Sequence, residues 1–258
     1  MNWKKWGTIV SLLLVFWVWQ QWPDAKLRVV FCDVGQGDGA IVTLGSFQAV
    51  IDTGAFENKM VECLSQAMPF WDRQIEIVFL SHADNDHVGA FAGLKKRYRI
   101  EKVVASPRPK EVIRYGSLYF DILKGSEPVV DRVMKGGSES NESSVVMRVS
   151  LGSFSVLFTG DIDTESELAL VDMGVLKKST VLKVSHHGSK YGSAKEFLEV
   201  IKPAWAVISV GAKNNYGHPS SDTLIRLDMV GAKVLRTDKM GKISFRTDGR
   251  TVEVFREK

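Results

Sequence analysis

Residues 80–90 read LSHADNDHVGA, and within them His82, Asp84, Asp86 and His87 fall in six consecutive positions. The apolar run IEIVFL (75–80) before them reads as a fully buried strand, and GAFAGLKKRY (89–98) after them reads as a helix. Four potential metal ligands therefore stand on one loop at the end of a core strand, where loop side chains converge beside a layered α/β core. In an extended segment alternate side chains share a side. His82, Asp84 and Asp86 are thus expected to face one way, with His87 turned the other way or redirected by the bend at Gly89.

The other histidines point to the same kind of place. The chain has five: two in SHADNDHVG, two in KVSHHGS (183–189) as His186 and His187, and one in NYGHPSS (215–221) as His218. Each motif follows an apolar strand or a glycine-rich turn, and no histidine lies elsewhere. A further carboxylate, Asp161, follows Gly160 in LFTGDID (157–163), again at a strand end. Two divalent cations would carry +4 against −3 from Asp84, Asp86 and Asp161, so one hydroxide would neutralise the cluster. Imidazoles from His82, His87, His218 and one of His186 and His187 then give roughly four ligands per metal. A hydroxide between two cations is a nucleophile at neutral pH, and the cations stabilise the charge of an in-line displacement. The pattern is that of a two-metal hydrolase.

Composition narrows the field. A chain of 258 residues with 45% apolar composition can bury one large core. At the N-terminus, MNWKKWGTIVSLLLVFWVWQQWPDAK places Lys4 and Lys5 before an apolar run from Trp6 to Trp19. Fourteen helical residues reach about 21 Å, short of the roughly 30 Å bilayer core. Residues 1–24 are read as a signal anchor with interfacial tryptophans or as a cleaved signal peptide, with a buried core helix as the third reading. In the first two cases residues 25–258 form an exported domain, either membrane-tethered or, after cleavage, secreted or periplasmic. From Asp24 onward there are thirty-two basic against thirty acidic side chains, a net charge of +2, too small to argue for nucleic acid by itself. Cys32 and Cys63 are read as two small buried hydrophobes. An exported location would permit a bridge, which spacing alone does not show.

The rest of the pattern alternates short apolar strands with helices: KLRVVFCDV, AIVTL and FQAVIDTG, a helix at NKMVECLSQAM, and later a hairpin turning at Leu151 and Gly152. Helices follow at TESELALVDM, AKEFLEVI and SDTLIRLDMV, between strands TVLKVSHHG, AWAVISVG and AKVLRT. Two β-rich halves with helices outside predict an α/β protein, a four-layer αββα sandwich. Three further places could support the site. Asp33, Gln36 and Asp38 lie on a loop whose glycines let backbone approach closely, or they are plain turn residues. Asp52 and Thr53 either orient ligands or end a strand, and Asn141 and Ser143 orient substrate or lie in a plain loop.

These motifs together, DVGQGDGAIV, VIDTG, SHADNDH, NESSVV, FTGD, LKVSHHGS and SVGAKNNYGHP, resemble the metallo-β-lactamase superfamily. Within it they resemble the hydrolase domain of ComEC-type DNA-uptake proteins. The resemblance runs from about Leu27 onward and implies the metallo-β-lactamase sandwich. Asp84 stands where the superfamily's usual loop has its second histidine, as in the ComEC-like and phosphorylcholine-esterase-like branches. That substitution argues against a β-lactamase, and it hardens the site so that Mn²⁺ or Mg²⁺ becomes plausible beside Zn²⁺.

The resemblance implies two divalent ions, Zn²⁺ or Mn²⁺. His82 and Asp84 would serve one and Asp86 and His87 the other, with Asp161 bridging and His186, His187 and His218 closing the shell. Asp86, His187 and His218 stand nearest the chemistry, with His218 a ligand or a general acid. Which of His186 and His187 ligates stays open. The implied activity is a phosphodiesterase or nuclease acting on DNA at the cell envelope in competence, beside a separate uptake channel. ComEC proteins carry a multi-helix channel that is not visible here, so the expectation is a stand-alone hydrolase domain that does not itself transport DNA. The alternatives are hydrolysis of phosphorylcholine-type or other small envelope phosphodiesters, and a non-catalytic DNA-binding companion of the channel.

Overall fold

The computed structural model describes residues 3–125 and 143–257; Asn141 lies outside them. Two seven-stranded sheets face each other. The first contains β1 (Leu27–Phe31), β2 (Gly39–Leu44), β3 (Phe47–Thr53), β4 (Gln74–Phe79), β5 (Arg99–Val104), β13 (Lys242–Thr247) and β14 (Val252–Glu257), in the order β14-β13-β1-β2-β3-β4-β5. The second contains β6 (Val112–Tyr115), β7 (Leu118–Lys124), β8 (Val146–Leu151), β9 (Phe154–Phe158), β10 (Val181–Lys183), β11 (Trp205–Ile208) and β12 (Lys233–Arg236), in the order β12-β11-β10-β9-β8-β7-β6.

Both sheets begin as antiparallel ladders and switch to parallel pairing. The switch comes at β3-β4-β5 in one and at β9-β10-β11-β12 in the other. Parallel pairing requires crossovers, and helices supply them on the outer faces. They are α2 (Glu57–Ala67), α3 (Asn85–Val88) and α4 (Phe91–Arg97) on the first sheet, and α5 (Thr164–Asp172), α6 (Lys195–Ile201) and α7 (Ser221–Met229) on the second. Asp163 caps α5 by accepting from the Ser166 N–H, and Ser220 caps α7 through the Thr223 N–H. A short α8 (Thr237–Met240) links β12 to β13.

Three buried clusters fill the layers. The central one draws Val29, Phe31 and Phe245 from the first sheet and Phe120, Val156 and Phe158 from the second. Phe31 stacks on Phe158 at 5.6 Å, so aromatic contacts tie the two sheets face to face. The outer clusters pack Met60, Leu64 and Leu94 beneath the first sheet and Leu170, Phe197 and Leu227 beneath the second. This is the αββα sandwich expected from the pattern. The hairpin β6-β7 was not legible as strands because β6 is only four residues long and half or fully exposed, although Ile113 packs on the central cluster and Tyr115 stacks on Phe47.

Helix α1 (Trp3–Gln20) leaves most of its apolar side chains exposed, Leu12, Leu13 and Phe16 among them. It touches the domain where Trp17 stacks on Phe70 at 4.9 Å. Among the described residues no helix is long and apolar enough to cross a membrane.

One reading is corrected. Cys32 and Cys63 are not two separate buried hydrophobes but a disulfide, with Cα atoms 5.9 Å apart. The bridge pins the end of β1 to α2, and sequence spacing could not give this distance because it depends on how α2 packs on the sheet. Cross-linking limits the unfolded chain, so Cys32→Ala/Cys63→Ala is expected to lower unfolding stability by about 2–4 kcal/mol. Urea denaturation of the two proteins side by side would measure it; equal midpoints would show that the bridge adds nothing.

Candidate metal centre

The switch to parallel pairing decides where the charged side chains gather, because crevices for ligands open at the carboxyl ends of parallel strands. Asp52 ends β3, the SHADNDH loop follows β4, Asp161 follows β9, Lys183 ends β10 and SHHGS follows it. These ends come from both sheets and meet at one rim of the sandwich.

The first loop is extended only as far as Asp84. From Asn85 it turns into α3, where the His87 N–H donates to the Asp84 carbonyl at 2.9 Å. Strand-like alternation therefore stops before Asp86, and of the two directions open to His87 the helical turn selects the inward one, to full burial. His82 is also fully buried, while the Asp84 and Asp86 side chains keep 25% and 33% exposure at the rim.

The GQGD turn docks on this loop. The Asp38 N–H donates to the Asp86 carbonyl at 3.1 Å. Gly37, at φ +120°, lies so close that a Cβ would come within 2.0 Å of the same oxygen, a position that only glycine fits. Gln36 accepts from the Gly211 N–H at 3.3 Å and ties the turn to the other half of the molecule. Asp33 faces Lys59 instead, away from the site.

In the SHHGS turn both histidines have left-handed backbone, with φ of 48° at His186 and 54° at His187. L-residues resist this region by roughly 1–2 kcal/mol each. The turn sends His187 into the site, 2% exposed, and leaves His186 half-buried on the rim. Glu167, buried on α5, stabilises the turn by accepting from Ser185 Oγ at 2.6 Å and from the N–H groups of Ser193 and Ala194 at 2.9 and 2.7 Å. Burial pushes its carboxyl up to about 7 despite these donors.

Four of the predicted site residues converge. One ligand atom each from Asp86, His87, Asp161 and His187 lies within 4.8 Å of the others. His87 Nε2 and His187 Nε2 approach the same Asp161 oxygen at 3.3 and 3.2 Å, and His187 Nε2 stands 3.3 Å from Asp86 Oδ2. His82 adjoins, its ring centroid 4.1 Å from that of His87 and its Nε2 3.5 Å from Asp84 Oδ2. His186 and His218 are not in the four-residue group. Their ring centroids lie 5.8 Å apart on the rim, with His186 6.2 Å from His187.

The donor chemistry fits a cation. Each inner imidazole has its Nδ1 engaged from behind: His82 by Ser81 Oγ at 2.9 Å, His87 by Asp52 at 3.0 Å, and His187 by the Ser209 carbonyl at 2.9 Å. Such partners fix ring and tautomer. The Nε2 atoms of all three are buried without a hydrogen-bond partner, and a buried polar atom left so is costly unless something else binds it. A divalent ion at this rim would satisfy the lone pairs. Asp52 is thereby placed behind a candidate ligand and not merely at a strand end, since it also accepts from the N–H and Oγ of Ser81.

The residue that sequence reasoning missed is Lys183. Its ammonium is buried, contacts Asp38, donates to the Gly160 carbonyl at 3.0 Å, and stands 3.5 Å from Asp161 Oδ1. A lysine in an apolar strand was the available signal; the run VLKVS reads as a strand whichever way the lysine faces. Burial opposes ionisation of Asp161 and Asp38. Their cationic neighbours outweigh it, with His187, His87 and Lys183 holding Asp161 well below the usual range and Lys183 foremost in doing so for Asp38. Burial likewise disfavours charged His87 and His187, yet Asp161 leads the carboxylates that raise both well above the ordinary value.

The family follows from this geometry and from comparison. Residues 33–212 match the model of the metallo-beta-lactamase superfamily, and the chain belongs to that superfamily, whose members are generally metal-dependent hydrolases. It is 29% identical to ComE operon protein 3 of Bacillus subtilis (strain 168) and 29% identical to competence protein ComA of Neisseria gonorrhoeae, in each case over 94% of this chain and 35% of the relative. The chain thus spans about a third of the length of these curated relatives. In fold it is similar to the metallo-beta-lactamase fold protein YhfI of Bacillus subtilis, with a TM-score of 0.56 at 13% identity, covering 89% of this chain and all of that one.

Two outcomes follow. Because carboxylates favour the protonated imidazoles in the metal-free site, loading a divalent ion is expected to release protons and to tighten as pH rises. Calorimetry in buffers of different ionisation enthalpy would detect this; heat independent of buffer would contradict it. Lys183→Met would leave buried carboxylates uncompensated and is expected to cost about 3–5 kcal/mol in the metal-free protein, read from urea unfolding.

Proposed function

We propose that this protein is a two-metal phosphodiesterase that cuts DNA at the cell envelope. The observation that carries the reading is the convergence of Asp86, His87, Asp161 and His187 at one rim, with buried imidazole nitrogens aimed there and engaged from behind. Asp86, His87, Asp161 and His187 would hold metal, joined by His82 and Asp84 on the adjoining flank. Zn²⁺ and Mn²⁺ both suit this mixed nitrogen and oxygen set. Bound there, the ions would supply Lewis acidity and a nucleophilic hydroxide.

The chain's own residues set the conditions for that chemistry. Asp52, Ser81 and the Ser209 carbonyl orient the imidazoles. Lys183 draws Asp161 and Asp38 together from the protein side, and the exposed edges of Asp84 and Asp86 leave the rim open to a phosphodiester. His218, less buried than the inner histidines and beside His186, is placed to meet the substrate or to close a ligand shell. Burial and the neighbouring histidines both lower its basicity, so it is neutral near pH 7.

DNA as substrate is supported by the relatives, one named for the ComE operon and the other a competence protein. An envelope location is supported by the Cys32–Cys63 bridge, since disulfides persist in oxidising compartments, and by the exposed apolar face of α1. A DNA-uptake channel is the protein partner that suits this reading.

Asp86→Ala removes a carboxylate of the four-residue cluster. Loss of groups that merely support ligands costs 10–100-fold, so this change is expected to lower metal-dependent cleavage of labelled DNA by more than about 100-fold. The assay pairs DNA with bis-p-nitrophenyl phosphate under Mn²⁺ or Zn²⁺. Turnover of the small ester alone would move the assignment to small envelope phosphodiesters, and activity surviving in Asp86→Ala would defeat the site.

A further inference from the structure

Aromatic rings lead from the metal centre to solvent. His187 lies within 6.2 Å of His186, His186 within 5.8 Å of His218, and His218 stacks on Tyr216 at 5.8 Å with only 18° between planes. Tyr216 ends the series 71% exposed, the largest exposed tyrosine surface among the described residues. A second tyrosine, Tyr191, is 64% exposed on the segment directly after SHHGS, with the Lys190 ammonium 4.9 Å from its ring centroid.

Both segments are held in place. Asn214 clamps the Tyr216 turn by donating to the carbonyls of Gly211 and His218 at 3.0 Å each and accepting from the His218 N–H at 3.0 Å. Arg226 on α7 clamps the other, donating to the carbonyls of Ser193, Gly192 and Lys190 at 2.8, 2.8 and 3.1 Å. An exposed tyrosine on a floppy loop would lose entropy on binding; these are presented on rigid turns, which lowers that cost.

Resting on the nuclease reading, we propose that Tyr216, backed by His218, is a stacking platform for an unpaired nucleobase, with Lys190 and Tyr191 flanking the same strand. The substrate this surface fits is therefore single-stranded DNA or a frayed end. In a duplex the base faces are already stacked, whereas a single strand offers them to aromatic side chains and its phosphates to nearby cations. The small net charge adds little long-range attraction to a duplex backbone, whereas base stacking supplies affinity that does not depend on charge.

The test measures binding of a labelled short oligothymidylate, and of an abasic strand of equal length, to the full chain carrying Asp86→Ala so that nothing is cut. Adding Tyr216→Ala is expected to weaken oligothymidylate binding by about tenfold or more and to leave the weaker abasic binding alone, whereas Tyr216→Phe keeps the preference. Equal affinity for the two strands, or a preference that survives Tyr216→Ala, overturns the platform. Metal-dependent cleavage of DNA by the otherwise unaltered chain is scored separately. If cleavage is present and the base preference absent, the platform fails and the nuclease stands; if no DNA is cut, the underlying reading fails.

Discussion

Bringing carboxylates and imidazoles together inside a protein is unfavourable unless their charges are matched, and much of this structure is arranged around meeting that requirement. Asp38, Asp52 and Asp161 are each almost fully buried at the rim, where an unpaired anion would be strongly destabilised. The metal-free chain compensates from within: Lys183 supplies a permanent cation beneath the cluster, and His87 and His187 are held ready to carry protons. Two divalent ions above would take over the role of those protons while Lys183 stayed in place. The lysine thus separates two duties that the carboxylates alone could not divide, keeping the sandwich intact without metal and keeping Asp161 directed toward the site.

The two halves of the molecule share the site unequally. The first sheet gives Asp52, His82, Asp84, Asp86 and His87, and the second gives Asp161, Lys183 and His187. Neither half alone collects both the histidine pair around Asp161 and its supporting cation. The central cluster, in which Phe31 meets Phe158, sits directly below. Apolar packing fixes the distance between strand ends, and the polar residues complete the contact at the edge where packing stops.

How much of this the sequence made legible depended on whether the signal was local. Five histidines confined to three motifs marked the site, and strand-helix alternation marked the layers, because both are written in consecutive residues. Lys183 was hidden since a lysine in a short strand does not reveal which face it occupies. The Cys32–Cys63 bridge was hidden since it spans the packing of α2 on β1. His186 and His187 could not be told apart from spacing; their left-handed backbone, a property of the folded turn, is what directs one ring inward and the other to the rim. The helical turn at Asn85 had the same effect on His87, deciding between the two directions the loop left open and bringing the ring to the centre.

The rim therefore combines two kinds of order. Inside, each imidazole is fixed by a named acceptor or hydroxyl, so its Nε2 has little freedom to follow a substrate. Outside, His186, His218 and Tyr216 form a graded surface that grows more exposed with distance from Asp161. A fixed charged centre is suited to a phosphate group, which differs little from one nucleotide to the next, while exposed ring faces are suited to bases, which differ in shape but all present a π-surface. A site built this way would recognise a strand by its repeating chemistry and not by its sequence. Contact of that kind would be concentrated at one edge of the sandwich, over the few nucleotides that reach both the charged centre and the exposed rings.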